Sequence, residues 1–165
     1  MVYLSKNNII NKIIDMTTLK IGDKAPDFVA LDQNGKTHKL ADYAGKKVVL
    51  FFYPKASTPG CTTEACDLRD NYERFLAQNY VVLGVSADTE KAQLKFAEKN
   101  NLPFPLLADV DKSVIMAYKV WGPKKFMGRE FDGIHRTTFI INEQGILEDI
   151  ITDVKTKEHT RQILK

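Results

Sequence analysis

The stretch "KKVVLFFYP", residues 46–54, limits the fold more than any other part of the sequence. Its apolar run is unbroken from Val48 to Tyr53 and closes at Pro54. That is the pattern of a strand buried on both faces, which open parallel sheets require and half-solvated sheets do not. A chain that carries it must cover the strand from two sides.

The remainder supplies the cover by alternating strand and helix patterns. "FVALDQNGKTHKL" reads as two short strands around an Asn34-Gly35 turn, a hairpin signal. A long helical pattern runs from about Pro59 to Asn79. "YVVLGVSAD" is a second buried strand, followed by "TEKAQLKFAEKNN", a helix with a solvated face. "FPLLAD" predicts a third strand and "DKSVIMAYKV" a short helix. "HRTTFIINEQGILEDIIT" predicts a hairpin turning at Gln144-Gly145, and "TKEHTRQILK" a terminal helix. The order points to an α/β sheet with an antiparallel part, in one domain over residues 16–165. Residues 1–15 read as an extension, disordered or weakly helical, or as an upstream start, because "MTTLKIGDKAPDF" looks like a fresh beginning at Met16. They make a poor secretory signal, with no uninterrupted apolar core and no small-residue cleavage site.

Composition excludes several classes. A chain of 165 residues with 44% hydrophobic residues buries a real core. The net charge of +3 comes without a dense basic run, so no nucleic-acid partner is expected. No apolar run approaches the roughly 20 residues that span a bilayer, so no membrane partner is expected either. The 2 cysteines are too few for a disulfide-scaffolded secreted domain. They suit a reducing compartment, so a cytoplasmic location is expected.

Both cysteines, Cys61 and Cys66, lie in "STPGCTTEACDLRD" at the start of the long helical pattern. On a helical wheel Ala65, Leu68, Tyr72, Phe75 and Leu76 fall within about 60° of Cys61, and Cys66 lies about 140° round. Cys61 alone reads equally as a buried structural cysteine. Its setting adds a second reading. Thr58 suits the N-cap and Pro59 the first helical position, so Cys61 falls in the first turn. Unpaired N–H groups and the positive end of the helix dipole there favour a thiolate, a nucleophile near neutral pH. The buried strand's carboxyl end delivers this turn to the usual place for chemistry in open α/β sheets.

Residues five apart on an intact helix have Cα atoms roughly 8–9 Å apart. A disulfide needs about 4.4–6.8 Å. A Cys61–Cys66 bond is therefore allowed only if the first turns unwind, which makes it a transient bond rather than a fixed one.

The stretch "PKASTPGCTTEAC" resembles the peroxiredoxin pattern, with Pro54, Thr58 and Cys61 in its three fixed places. "TPGCTTEAC", with the cysteine five residues on, is similar to the subfamily called bacterioferritin comigratory protein, or PrxQ. "GDKAPDF" (22–28) and "VWGPKKFMGREFDGIHRTTFIIN" (120–142) extend the resemblance over about residues 16–165. It implies a thioredoxin-like fold with a central mixed sheet flanked by helices, an N-terminal hairpin, and thiol peroxidase activity. It further implies Cys61 as the peroxidatic cysteine and Cys66 as the resolving one. Thr58 and Arg136 would hold the peroxide and stabilise the thiolate, and Pro54 would shield it. The implied partners are a peroxide, hydrogen peroxide or an organic hydroperoxide, and thioredoxin or a similar dithiol. The implied state is a monomer, and the implied role is antioxidant defence.

The residues themselves fit these roles. Arg136 begins a strand placed antiparallel to "VVLFFY", which brings its head toward Cys61; the plain alternative is a surface arginine at a strand end. Thr58 serves as a cap alone or as cap and substrate ligand. His135 adjoins Arg136, but strand neighbours face opposite sides, so it is left out of catalysis. Glu64, one turn beyond Cys61, is placed to orient an arginine. His38, His135 and His159 are scattered, with no metal-ligand spacing to the cysteines, and no phosphate loop or dinucleotide fingerprint occurs. No metal and no cofactor are expected, and Trp121 reads as packing. Two rival functions remain at this level. One is a disulfide carrier, against which the lack of a C-x-x-C pair argues; the other is a copper-binding thioredoxin-like protein.

Overall fold

The computed structural model describes residues 19–164 of the chain. The extension over residues 1–15, and the beginning at Met16, lie outside the described residues. In chain order the strands and helices are β1 (Val29–Leu31), β2 (Thr37–Lys39), β3 (Lys47–Phe52), α1 (Pro59–Asp70), α2 (Tyr72–Ala77) and β4 (Tyr80–Ser86). They continue with α3 (Glu90–Asn100), β5 (Leu106–Ala108), α4 (Ser113–Ala117), β6 (Trp121–Phe126) and β7 (Arg129–Ile134). The chain closes with β8 (Thr137–Ile141), β9 (Leu147–Ile151) and α5 (His159–Ile163).

The central sheet has the order β5-β4-β3-β8-β9. β3 pairs in parallel with β4, and β4 with β5. On the other side β3 pairs antiparallel with β8, and β8 with β9. The apolar run of residues 48–53 is thus the middle strand, and its alternate residues feed two cores. Val49, Phe51 and Tyr53 pack with Cys61, Leu68, Phe75, Phe96 and Ile163 on one face. Val48, Leu50 and Phe52 pack with Val114, Ile115, Tyr118 and Phe139 on the other. Period-two alternation splits one continuous run between two layers, the arrangement that run requires. Gly84 of β4 is needed for the fit, because a Cβ there would come within 2.8 Å of both Phe51 and Leu106.

The expected hairpins are present. β1 and β2 pair antiparallel around Gly35, whose φ of 77° suits the tight turn. Asp32 stiffens that turn by accepting from the N–H groups of Asn34 (2.8 Å) and Lys36 (3.0 Å). β8 and β9 turn at Gly145, as expected.

Two elements differ from expectation. The long helical pattern over residues 59–79 is two helices broken at Asn71. The Asn71 side-chain amide donates to the carbonyl of Asp67 at 2.8 Å, a local bond that competes with the helix ladder. The break turns Leu76 outward, where it is 50% exposed instead of lying on the Cys61 stripe. Residues 121–134 form a hairpin of their own, β6 with β7, turning at Met127 (φ 51°) and Gly128 (φ 79°). No helix among the described residues is long and apolar enough to cross a membrane.

Candidate active site

The site forms where the middle strand ends. β3 runs into fully buried Tyr53 and half-buried Pro54, and the loop beyond is pinned by Ala56 N–H donating to Asp88 (2.8 Å). Ser57 adopts a left-handed φ of 64°, and extended Thr58 then starts α1 with Pro59 in the first turn. Thr58 holds the N-cap position without making the expected side-chain cap. Its hydroxyl turns back and donates to the carbonyl of Lys55 at 2.7 Å. The first backbone bond of α1 is Thr62 N–H to Thr58 O, at 2.9 Å. The N–H groups of Gly60 and Cys61 precede that bond and lie at the positive end of the helix.

Cys61 is 1% exposed, in the core beneath α1. Arg136, the residue before β8, reaches across the antiparallel β3–β8 pair. Its Nη2 donates to Cys61 Sγ at 3.3 Å and its Nη1 to Glu64 Oε1 at 2.7 Å. Burial works against the guanidinium charge, but Cys61 and Glu64 outweigh it and raise the arginine's pKa. Gly60 makes room for this approach: a Cβ there would sit 3.2 Å from Arg136 Nη2. Cys66 lies half-buried on the flank of α1, its Sγ 3.8 Å from Asn100 Oδ1 at the end of α3. Both thiols are free.

Two more charged side chains belong to the surroundings. Glu64 is fully buried, and burial, partly opposed by Arg136, pushes its carboxyl up to about 7. Lys124 of β6 donates to the Ile134 carbonyl at 2.8 Å. Burial and Arg136 push its pKa down, while Cys61 pulls it up. The structure therefore brings Cys61, Arg136 and Glu64 into direct contact and sets Thr58 and Pro54 in the loop that delivers them. His135 is exposed and its ring lies against Gly122, away from the Arg136 side. His38 is held in a separate buried cluster with Asp32 and Tyr43. The sequence marks Glu64 only as an orienting group, and it gives neither Lys124 nor His159, which approaches Glu64 from α5, a place at the site. An acidic residue one turn beyond Cys61 was the available signal for Glu64. For Lys124 and His159 the contacts are long-range, and no local pattern marks them.

The chain that carries this buried thiol and its arginine is similar to known proteins over most of its length. The model of the AhpC/TSA family matches residues 21–150. The chain belongs to the AhpC/TSA family. Peroxiredoxin Bcp of Bacillus subtilis is 48% identical over 148 residues, covering 90% of this chain and 94% of that protein. Peroxiredoxin Bcp of Escherichia coli is 46% identical over 149 residues, covering 90% and 96%. Among solved structures, a cysteine-to-serine mutant of Xylella fastidiosa PrxQ superposes with a TM-score of 0.85 at 30% identity, covering 90% of this chain and 94% of that one. The bacterioferritin comigratory protein of Xanthomonas campestris, solved as a trapped intermediate/ligand complex in a study of alkyl peroxide reduction, superposes at 0.78. It is 33% identical and covers 83% and 87%. The fold is the thioredoxin-like one of these peroxiredoxins, and the chain is a thiol peroxidase of the Bcp/PrxQ branch.

Proposed function

We propose that Cys61 is the peroxidatic thiol and Cys66 the resolving thiol of an enzyme that reduces hydrogen peroxide and organic hydroperoxides. The observation that carries the reading is the 3.3 Å contact between Arg136 Nη2 and Cys61 Sγ. A guanidinium donor on the sulfur favours the thiolate and stands where negative charge develops on the departing oxygen.

The Cys61 thiolate attacks the terminal peroxide oxygen and the O–O bond breaks. The attacked oxygen stays on sulfur as sulfenic acid. The other leaves as hydroxide or alkoxide and takes a proton to become water or an alcohol. Arg136 offers the charged donor, the Thr58 hydroxyl a second polar group once it swings from Lys55, and Pro54 limits solvent access. A buried, fixed thiolate saves the entropy of aligning it along the O–O bond.

The sulfenic acid then condenses with the Cys66 thiol, releasing water and forming a disulfide. Cys61 points into the core and Cys66 rests against α3, with both on one intact helix. Their union requires the first turns of α1 to unwind, for the reason of reach given above. The opened disulfide is reduced by a dithiol protein, thioredoxin or a close equivalent, which leaves oxidised itself. The Xanthomonas relative's link to alkyl peroxide reduction supports the organic substrate class. We place the enzyme in the cytoplasm, as a monomeric single domain over residues 16–165, serving antioxidant defence. Cys61→Ser is expected to abolish peroxide consumption driven by a thioredoxin system. Turnover surviving in that variant would contradict the assignment.

A further inference from the structure

One buried atom beside the site is unexplained by this scheme. Glu64 Oε2 is buried and has no hydrogen-bond partner among the described residues, although Oε1 is paired with Arg136. A buried acceptor without a donor is costly and uncommon in folded proteins. It faces His159 Nε2, 3.5 Å away on α5, and both side chains are fully excluded from solvent.

The protonation of His159 follows from its neighbours. Gln162 Oε1 accepts the Lys155 N–H at 3.0 Å, while Gln162 Nε2 donates to the Asp153 carbonyl at 2.8 Å. The amide orientation is thereby fixed, and its oxygen lies 2.8 Å from His159 Nδ1. Nδ1 must carry a hydrogen. Nε2 stands between Thr138 Oγ1, at 2.7 Å, and Glu64 Oε2. With no further proton, Thr138 donates to the single lone pair of Nε2, and Glu64 Oε2 is left without a donor. A proton on Glu64 makes Oε2 a donor, which closes the 3.5 Å gap to Nε2 once Thr138 gives up the single site on that nitrogen.

The charged groups acting on this pair are Arg136, ahead of β8, and Asp67 on α1; Thr138 of β8 and Gln162 of α5 are neutral. Burial raises the Glu64 carboxyl to about 7, opposed by Arg136, and burial lowers His159, opposed by Gln162. Burial thus favours the uncharged form of both groups, the carboxyl protonated and the imidazole neutral.

We propose that His159 is a positioning residue of the peroxidatic site: it shares one proton with Glu64, and that proton locks the carboxylate in the orientation that presents Arg136 to Cys61. The proposal rests on the assignment of Cys61 above and makes the last helix part of the active site. Loss of the shared proton frees Glu64 Oε2 to turn, and Arg136 turns with it.

The test compares the full-length native protein with His159→Leu and His159→Gln, each first checked for a native unfolding transition. Oxidation of Cys61 by hydrogen peroxide is followed by rapid mixing across the neutral pH range. The native rate constant is expected to fall as pH rises through about 7. His159→Leu is expected to react about tenfold more slowly, the effect of one lost charged hydrogen bond, with no inflection. His159→Gln offers a donor that does not titrate, so it restores most of the rate and leaves the inflection absent. A folded leucine variant with the native rate and profile overturns the proposal. A native-like inflection in the glutamine variant overturns it too, and that variant decides alone if leucine prevents folding. A native Cys61 no faster than a free cysteine removes the parent assignment with it, a result separate from any difference among the His159 variants.

Discussion

Arg136 holds Cys61 and Glu64 with the two arms of one guanidinium, at 3.3 Å from the sulfur and 2.7 Å from the carboxylate. The fork fixes the arginine from both sides, since a single planar group satisfies two partners whose positions are set by the same helix. The Cys61 sulfur and the Glu64 carboxylate sit one helical turn apart on α1, and the guanidinium between them arrives from the start of β8.

The fork predicts that charge alone is insufficient. Arg136→Lys keeps the cation and loses the two-armed geometry, so Cys61 oxidation should slow by about a hundredfold, the cost of removing one preorganised donor from a developing anion. Rapid mixing with hydrogen peroxide measures it. A lysine variant at the native rate would show that the geometry is unnecessary.

Gly60 is expected to matter for rate and not for stability. Its missing Cβ leaves the space into which Arg136 Nη2 extends, 3.2 Å from where that Cβ would be. The flexible arginine head yields to the methyl group. Gly60→Ala should therefore fold at least as well as the native chain, since alanine is the better helix former by up to about 1 kcal/mol. Its Cys61 should oxidise up to about tenfold more slowly through misplacement of the donor. Equal rates, with equal or better stability, would show that the guanidinium has slack.

The polypeptide signalled some of this site and concealed the rest. The unbroken run from Val48 to Tyr53 marked the middle strand, and Pro59 before Cys61 marked the helix start, because both depend on neighbours in sequence. Arg136 was placed near Cys61 by one further step, the antiparallel pairing of β8 on β3. The break at Asn71 was harder, since one side-chain amide bonding to Asp67 defeats an otherwise helical pattern. The β6–β7 hairpin lacks clean alternation, and Met127-Gly128 was its only local sign. Thr58 has the right type and place for a cap, yet nothing local says its hydroxyl turns to Lys55. Burial of Glu64 against His159 joins α1 to α5 through tertiary packing, which no spacing rule reports.

Glu64 also leaves a signature in stability. Its folded pKa of about 7 lies above the ordinary 4.5, so folding takes up a proton between those values. The Glu64 contribution is fully present below the ordinary value and is lost as pH rises through about 7. The loss amounts to roughly 3 kcal/mol at most for a shift of this size. Burial of His159, which lowers its pKa, acts in the opposite sense: that contribution is present above its ordinary 6.5 and is lost as pH falls. Glu64→Gln removes the first effect and leaves the second, so the fall in unfolding temperature between mildly acid and neutral pH should disappear. Parallel profiles for the two proteins would place the titration elsewhere.

The most direct test of the whole account is a single stoichiometric dose of hydrogen peroxide on the fully reduced protein, followed by intact mass and a peptide map. Rapid loss of two hydrogen masses is expected, with Cys61 joined to Cys66. Cys66→Ser should instead stop with one added oxygen on Cys61. Thiols left intact, reacting no faster than free cysteine, or oxidation that leaves Cys61 untouched, would contradict it.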